Sequence, residues 1–201
     1  KTKRQTICVI GASAVLAMMV PSGFFDWGMA LSVMAALLGL YLLKKDYGIA
    51  RKLIIVLFLA LLLSSPYWYF IWQTSHHDWY PESALRLGLF YTHYPLLNKL
   101  MSAVLIVYAL LISLSFFGRN KSEEDSVGLI KKINNHFQDW HVFCLALILG
   151  SLWVYAQQMI TGRTIWPYHF VQYTIPLAMV VLMVLFYNVI KQWSRYMWGA
   201  G

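Results

Sequence analysis

Six long apolar runs alternate with short polar segments along the chain. The runs are Ile7–Val20, Trp27–Leu43, Leu53–Trp72, Leu100–Phe117, Val142–Met159 and Phe170–Ile190. Most of them approach the about 20 residues that a helix needs to cross the hydrocarbon of a bilayer. None shows the strict alternation of barrel strands. Because a helix satisfies its own backbone hydrogen bonds in lipid, the pattern predicts an all-α, polytopic transmembrane bundle of about six helices.

The first run is the shortest, and it ends at Val20-Pro21-Ser22-Gly23. Proline followed closely by glycine is typical of a tight turn. Two interpretations stay open for the first two runs. They either cross the membrane fully or form a short, shallow hairpin.

Lysine and arginine are distributed unevenly between the segments that join the runs. If the connecting segments are assigned alternately to the two faces of the membrane, only Arg86, Lys99 and Arg163 of the 16 fall on one face. The other thirteen fall on the opposite face. Positive residues near helix ends are retained in the cytoplasm, so both termini are predicted to be cytoplasmic. The bundle then divides into residues 1–117 with an outer loop at 73–99, a cytoplasmic linker at 118–139, and residues 140–201 with an outer loop at 157–169.

Composition supports a membrane protein. Hydrophobic residues make up 60% of the chain and charged residues 12%, a balance that a soluble domain of this size could not cover with polar surface. The net charge of +8 does not predict nucleic-acid binding, because the cations flank apolar runs instead of forming one basic patch. Membrane lipid is the predicted partner. The start at Lys1 instead of Met favours a piece of a longer chain, so the rest of that chain or other membrane subunits are further candidate partners.

The first outer loop is rich in groups that could carry chemistry. His76, His77 and Asp78 are adjacent, and imidazole and carboxylate are suitable ligands for a divalent metal, although their spacing matches no zinc motif. A solvated loop is the alternative. Any general acid or base must come from Asp78, Glu82, a histidine, or Asp26 in the first turn.

The same loop contains a predicted interfacial helix at Pro81–Tyr91, which would place Glu82 and Arg86 one turn apart. That spacing is explained by a helical ion pair. The second interpretation is that Arg86 binds a phosphate at the membrane surface, because the guanidinium fork matches phosphate oxygens. His93 follows between aromatic residues and is a second candidate for substrate binding.

The second outer loop joins the last two runs. Gln157 and Gln158 end one helix, Arg163 lies in a turn, and His169 lies at the water–lipid boundary. Polar groups at membrane depth are costly without partners, so the two amides are expected to face the bundle or a cavity. Capping of the helix C-terminus is the alternative role for them.

The sequence Gln157-Gln158-x-x-Thr-Gly-Arg163-Thr-x-x-Pro-x-His169 resembles a pattern near the C-terminal end of bacterial membrane proteins grouped with GT-C glycosyltransferases. The resemblance implies a multi-pass inner-membrane enzyme that transfers a sugar from a polyprenyl-phosphate carrier. It implies that Arg163 and His169, with Arg86, contact the lipid-linked phosphate. The essential acidic residue of that group lies in a long first outer loop, whereas Asp26 lies in a short turn, so either the catalytic part is elsewhere or the chain is not a transferase.

Three alternatives accompany this hypothesis. An O-antigen polymerase or ligase would use outer arginine and histidine in a similar setting. A transporter would need ionisable residues at the middle of its helices, and the six runs contain none. A non-enzymatic subunit of a membrane complex would use the outer loops for docking.

Overall fold

The computed structural model describes residues 2–86, 88–94, 96–117, 139–165 and 169–198. Almost all of them are helical. The helices are α1 (Thr2–Ser22), α2 (Phe24–Leu43), α3 (Tyr47–Leu63), α4 (Ser65–Ser75), α5 (Tyr80–Arg86), α6 (Lys99–Phe117), α7 (Asp139–Ala156), α8 (Gln158–Thr161) and α9 (His169–Trp198). Two short strands, β1 (Leu89–Tyr91) and β2 (Arg163–Ile165), complete the described elements. The predicted linker at 118–139 lies outside the described residues, except for Asp139 at the start of α7.

The predicted all-α bundle is confirmed. Four segments are long and apolar enough to cross a membrane: Lys3–Ser22, Phe25–Leu43, Asp139–Thr161 and His169–Asn188. The bent pair α3–α4 makes a fifth, and α6 supplies a shorter apolar helix. Each of the six apolar runs is therefore helical. Large apolar side chains such as Met18, Phe58 and Phe186 are more than 60% exposed, as expected for a surface that faces lipid.

Two details differ from the simplest interpretation of the sequence. The first run extends towards the N-terminus through its polar residues, so that α1 has 21 residues and a length of about 31 Å. Two full crossings are therefore favoured over a shallow hairpin. The third run is not one straight helix, because α3 and α4 meet at Ser64 with a bend of 54°.

The bend at Ser64 has a local cause. The Ser64 hydroxyl donates to the carbonyl of Ala60 at 2.8 Å and accepts from the Trp68 indole N–H at 3.0 Å. Pro66 occupies the first turn of α4, where its missing N–H costs no helical hydrogen bond. The serine thus caps one helix and anchors the next, and the chain changes direction between them.

Helix α2 lies at the centre of the bundle. It contacts α1 and α3 on one side and α7 and α9 on the other. Its packing against α7 is the most extensive, and a Cβ added to Gly150 of α7 would lie 2.6 Å from the Val33 Cα atom. Helices α6, α7 and α9 form the largest apolar cluster, around Met101, Ile148 and Val181.

A buried polar contact ties the start of α6 to α9. The Asn98 amide donates to the Thr174 hydroxyl at 3.0 Å, and both side chains are buried. The Asn98 side-chain oxygen also accepts from the backbone N–H of Met101 at 3.2 Å, so it caps α6. This contact positions the outer end of α6, directly after the first outer loop.

At the other end of the bundle, α2 and α7 are joined by charge. The Lys44 ammonium lies 3.2 Å from the Asp139 carboxylate, and the Tyr41 hydroxyl donates to the same carboxylate at 3.3 Å. Four cations of residues 44–52 lie at this end: Lys44 and Lys45 in the turn after α2, and Arg51 and Lys52 in the first turns of α3. It is the end for which the distribution of lysine and arginine predicts a cytoplasmic location.

Candidate functional site at the predicted outer face

The two outer loops meet in an antiparallel strand pair. Leu89 lies opposite Ile165, Phe90 opposite Thr164, and Tyr91 opposite Arg163. The Thr92 N–H adds a hydrogen bond to the carbonyl of Gly162 at 3.0 Å. Segments more than 70 residues apart in the sequence are thereby joined into one surface at the end of the bundle.

This pairing corrects the predicted interfacial helix at Pro81–Tyr91. The helix forms, but α5 ends at Arg86. Gly88 then adopts a left-handed φ of 84°, which ends the helix, and the following residues form β1. The strand is stabilised by its partner β2, a contact that the helical pattern of the loop could not indicate.

Side chains extend the contact beyond the strands. The Gln158 amide donates to the carbonyl of Tyr94 at 3.1 Å, and His93 Nδ1 lies 3.2 Å from the carbonyl of Met159. A carbonyl can only accept, so this contact requires a proton on Nδ1. In the neutral imidazole, Nε2 is then the acceptor.

Gly162 fits between these groups because it has no side chain. It follows α8 with a left-handed φ of 67°, and its N–H donates to the carbonyl of Gln158 at 2.8 Å. A Cβ at this position would lie 2.9 Å from Cε1 of His93. The glycine is therefore required both by the backbone conformation and by the imidazole packed against it.

Replacing Gly162 with alanine is expected to separate the two loops at this point. The left-handed conformation costs a residue with a Cβ about 1–2 kcal/mol, and the His93 ring must also move. Hydrogen exchange at the Thr92 amide should rise about tenfold or more, because it bonds to the Gly162 carbonyl. In the double variant His93→Ala with Gly162→Ala, the Thr92 amide should recover only the share of its protection that is lost through the clash with the imidazole ring. Unchanged protection in Gly162→Ala would contradict this account.

The two neighbouring glutamines have different roles. Gln157 is partly exposed, donates to the Arg163 carbonyl at 2.9 Å and accepts from the Thr161 hydroxyl at 2.7 Å, so its amide holds the turn together. Gln158 is fully buried, and its side-chain oxygen has no hydrogen-bond partner in the described part of the chain. The expectation that these amides face the bundle holds for Gln158. Gln157 instead bonds within the turn, because its amide donates to the carbonyl of Arg163 in β2 and not to a carbonyl at a helix C-terminus.

Arg163 is the exposed cation of this surface. Its guanidinium lies over the Tyr91 ring, 5.6 Å from the ring centroid. Among the described residues it forms no ion pair with a carboxylate. The cation–π contact orients the guanidinium, and its charge stays available to an anion.

Arg86 differs from Arg163 because it has a carboxylate partner. It pairs with Glu82 one turn earlier on α5, as the spacing predicts, and both side chains are more than 70% exposed. An exposed pair of this kind contributes little to stability, about 0.3–0.5 kcal/mol. The pair nevertheless offsets the charge of Arg86 locally, which makes Arg86 the weaker candidate for a phosphate.

His169 and Asp26 lie at neighbouring helix starts. The His169 ring stacks on Phe25 with 5.3 Å between centroids, and this joins the first turns of α9 and α2. The Asp26 carboxylate is directed towards Gly23, where an added Cβ would meet it at 3.2 Å. Both side chains are at the same end of the bundle as the strand pair, since Phe25 also packs against Phe170 and Tyr173.

The metal hypothesis for the first outer loop gains no support. His76 Nδ1 contacts the carbonyl of Trp72 at 2.7 Å, and His77 stacks on Trp79. Within the described ranges, no three His, Cys, Asp or Glu side chains are grouped closely enough to hold a metal ion. Asp78 forms no described hydrogen bond with the strand pair or with the Glu82–Arg86 pair.

Sequence reasoning missed several residues of this surface. The sequence assigns no role to Tyr91 or Tyr94, yet the Tyr91 ring supports Arg163 and the Tyr94 carbonyl accepts from the Gln158 amide. The glycines at 88 and 162 were the available signal, since each precedes a strand.

Comparison of the chain with known protein families, curated proteins and solved structures gave no match.

Proposed function

We propose that the chain is a membrane-embedded, glycosyltransferase-like protein of the bacterial inner membrane that handles a polyprenyl-phosphate-linked sugar at its outer face. One observation carries the proposal. The β1–β2 pair holds Arg163, an arginine without a carboxylate partner in the described structure, on an aromatic ring at the end of the bundle that is predicted to face outward. A guanidinium at this level matches the phosphate of a lipid whose isoprenoid chain lies in the bilayer.

The surroundings of Arg163 suit the rest of such a substrate. Phe90, Tyr91 and Tyr94 are 47%, 61% and 74% exposed, and they offer apolar faces beside the cation. His93 lies on the adjoining turn with Nε2 as an acceptor when the ring is neutral. Phosphate, apolar chain and hydroxyl-bearing head group would each find a matching group along this edge.

The proposal is tested by measuring undecaprenyl phosphate binding to the purified chain in nanodiscs. Arg163→Gln is expected to weaken binding about tenfold or more, because a hydrogen bond to a charged group contributes about 1.5–3 kcal/mol. Arg163→Lys should recover part of the affinity, since it keeps the charge and loses the fork. Lys99→Gln is the matched control, as it removes one outer-face cation outside the strand pair.

Two results would contradict the proposal. Undecaprenol, which has no phosphate, could bind as tightly as the phosphate, or Arg163→Gln could bind like the control. A second function would then be preferred, that of a non-enzymatic subunit in a membrane complex. The specific observation in its favour is the exposure of Tyr94 and Leu97, 74% and 70%, beside the strand pair.

A further inference from the structure

A groove lies between α1 and α3 at the opposite, cationic end of the bundle. It is an open groove, not an enclosed cavity, and it has a volume of about 590 Å³. The surface of the groove is mainly apolar. It is lined by Cys8, Val9, Leu53 and Val56 together with Arg4, Gln5 and Lys52.

The cations of this groove have no anionic partner in the described structure. Arg4 and Lys52 are exposed and form no ion pair there. Two described carboxylates at this end of the bundle have other partners. Asp46 accepts from the Ile49 N–H at 3.1 Å as the cap of α3, and Asp139 pairs with Lys44. Within the described residues, Arg4 and Lys52 therefore leave a net positive charge beside the groove.

The arrangement of charge above an apolar wall matches one occupant. We propose that the groove binds an anionic phospholipid, with the phosphate between Arg4 and Lys52 and an acyl chain along Cys8, Val9 and Leu53. Helices α1 and α3 both start at this end, so both cations lie towards the predicted head-group level. Leu53 follows Lys52 directly, and Cys8, Val9 and Val56 lie about one turn further along their helices. Phosphatidylcholine has no net charge, so the two cations do not favour it over an anionic lipid.

Native mass spectrometry of the full chain, released from nanodiscs with equal amounts of phosphatidylglycerol and phosphatidylcholine, tests this site. Phosphatidylglycerol is expected to be retained preferentially. Arg4→Gln with Lys52→Gln should lower that preference about tenfold or more, because each basic residue contributes about 1 kcal/mol at an anionic surface. The single variants should each show part of the loss, so the test does not depend on the double variant.

Two further variants separate the groove from general surface charge. Lys45→Gln with Arg51→Gln removes two cations from the same end but outside the groove, and it should leave the preference unchanged. Cys8→Trp fills the apolar wall without changing charge and should lower retention of the lipid. An equal loss in the Lys45/Arg51 control, no preference for phosphatidylglycerol, or full retention in Cys8→Trp would overturn the proposal.

Discussion

Replacing Gly150 with alanine is expected to destabilise the bundle more than any other single methyl group added to the described glycines. The new Cβ would lie 2.6 Å and 2.7 Å from the Cα and N atoms of Val33 in α2. These are backbone atoms, so the two central helices must move apart. Overpacking of this kind costs about 1–3 kcal/mol, and the rigid partner places Gly150 at the upper end of that range.

The measurement is the thermal midpoint of the purified variants in one detergent. A loss of about 3 kcal/mol corresponds to a decrease of about 6–12 °C for a chain of this size. Gly39→Ala in α2 is the control, because no atom lies within 4 Å of its added Cβ. It should raise stability slightly, by up to about 1 kcal/mol, through helix propensity.

A double variant identifies the atoms responsible. Val33→Ala removes the Cγ2 atom, which would lie 2.8 Å from the new Cβ, but leaves the Cα and N atoms in place. Gly150→Ala should therefore stay destabilising in a Val33→Ala background. Full rescue by Val33→Ala, or a midpoint for Gly150→Ala equal to that of Gly39→Ala, would show that the helices are not in backbone contact.

The predicted orientation leads to an all-or-none result in cysteine labelling. Asp78→Cys, between α4 and α5, is expected to react completely with a membrane-impermeant maleimide on spheroplasts of a bacterial host. Tyr47→Cys, at the start of α3, should react only after the membrane is permeabilised. Both positions are exposed in the structure, so accessibility within the fold does not limit either reaction.

The labelling experiment requires that the two native cysteines do not react. Cys8 is exposed and is replaced by alanine, while Cys144 is fully buried and can remain. The reverse pattern of labelling would place the strand pair in the cytoplasm. It would then exclude a substrate at the outer face, because Arg163 lies at the same end as Asp78.

The helices could be predicted from the sequence because their determinants are local. A continuous apolar run sets the length of each crossing, and lysine and arginine mark alternate ends. The break at Ser64 was missed because the third run stays apolar on both sides of it. Pro66 was its signal, since proline in a first helical turn marks a new helix.

The candidate site was predictable only in its parts. Arg163, His93 and the Glu82–Arg86 spacing are visible in the sequence, but the pairing of Tyr91 with Arg163 joins positions 72 residues apart. Such long-range register depends on how the helices bring the loops together, and no local pattern specifies it. The different roles of Gln157 and Gln158 have the same origin, because the break between α7 and α8 turns one amide outward and the other into the bundle.

The bend at Ser64 also determines how deep the outer surface lies. The 11 residues of α4 would advance about 16 Å along the bundle axis if they continued α3, but a tilt of 54° reduces that advance to about 10 Å. Tyr69 and Trp72 are exposed along the slanted helix, and tyrosine and tryptophan are the residues that anchor helices at membrane–water interfaces. Because the first outer loop begins where α4 ends, the slant starts that loop about 6 Å lower along the bundle axis than a straight continuation of α3 would.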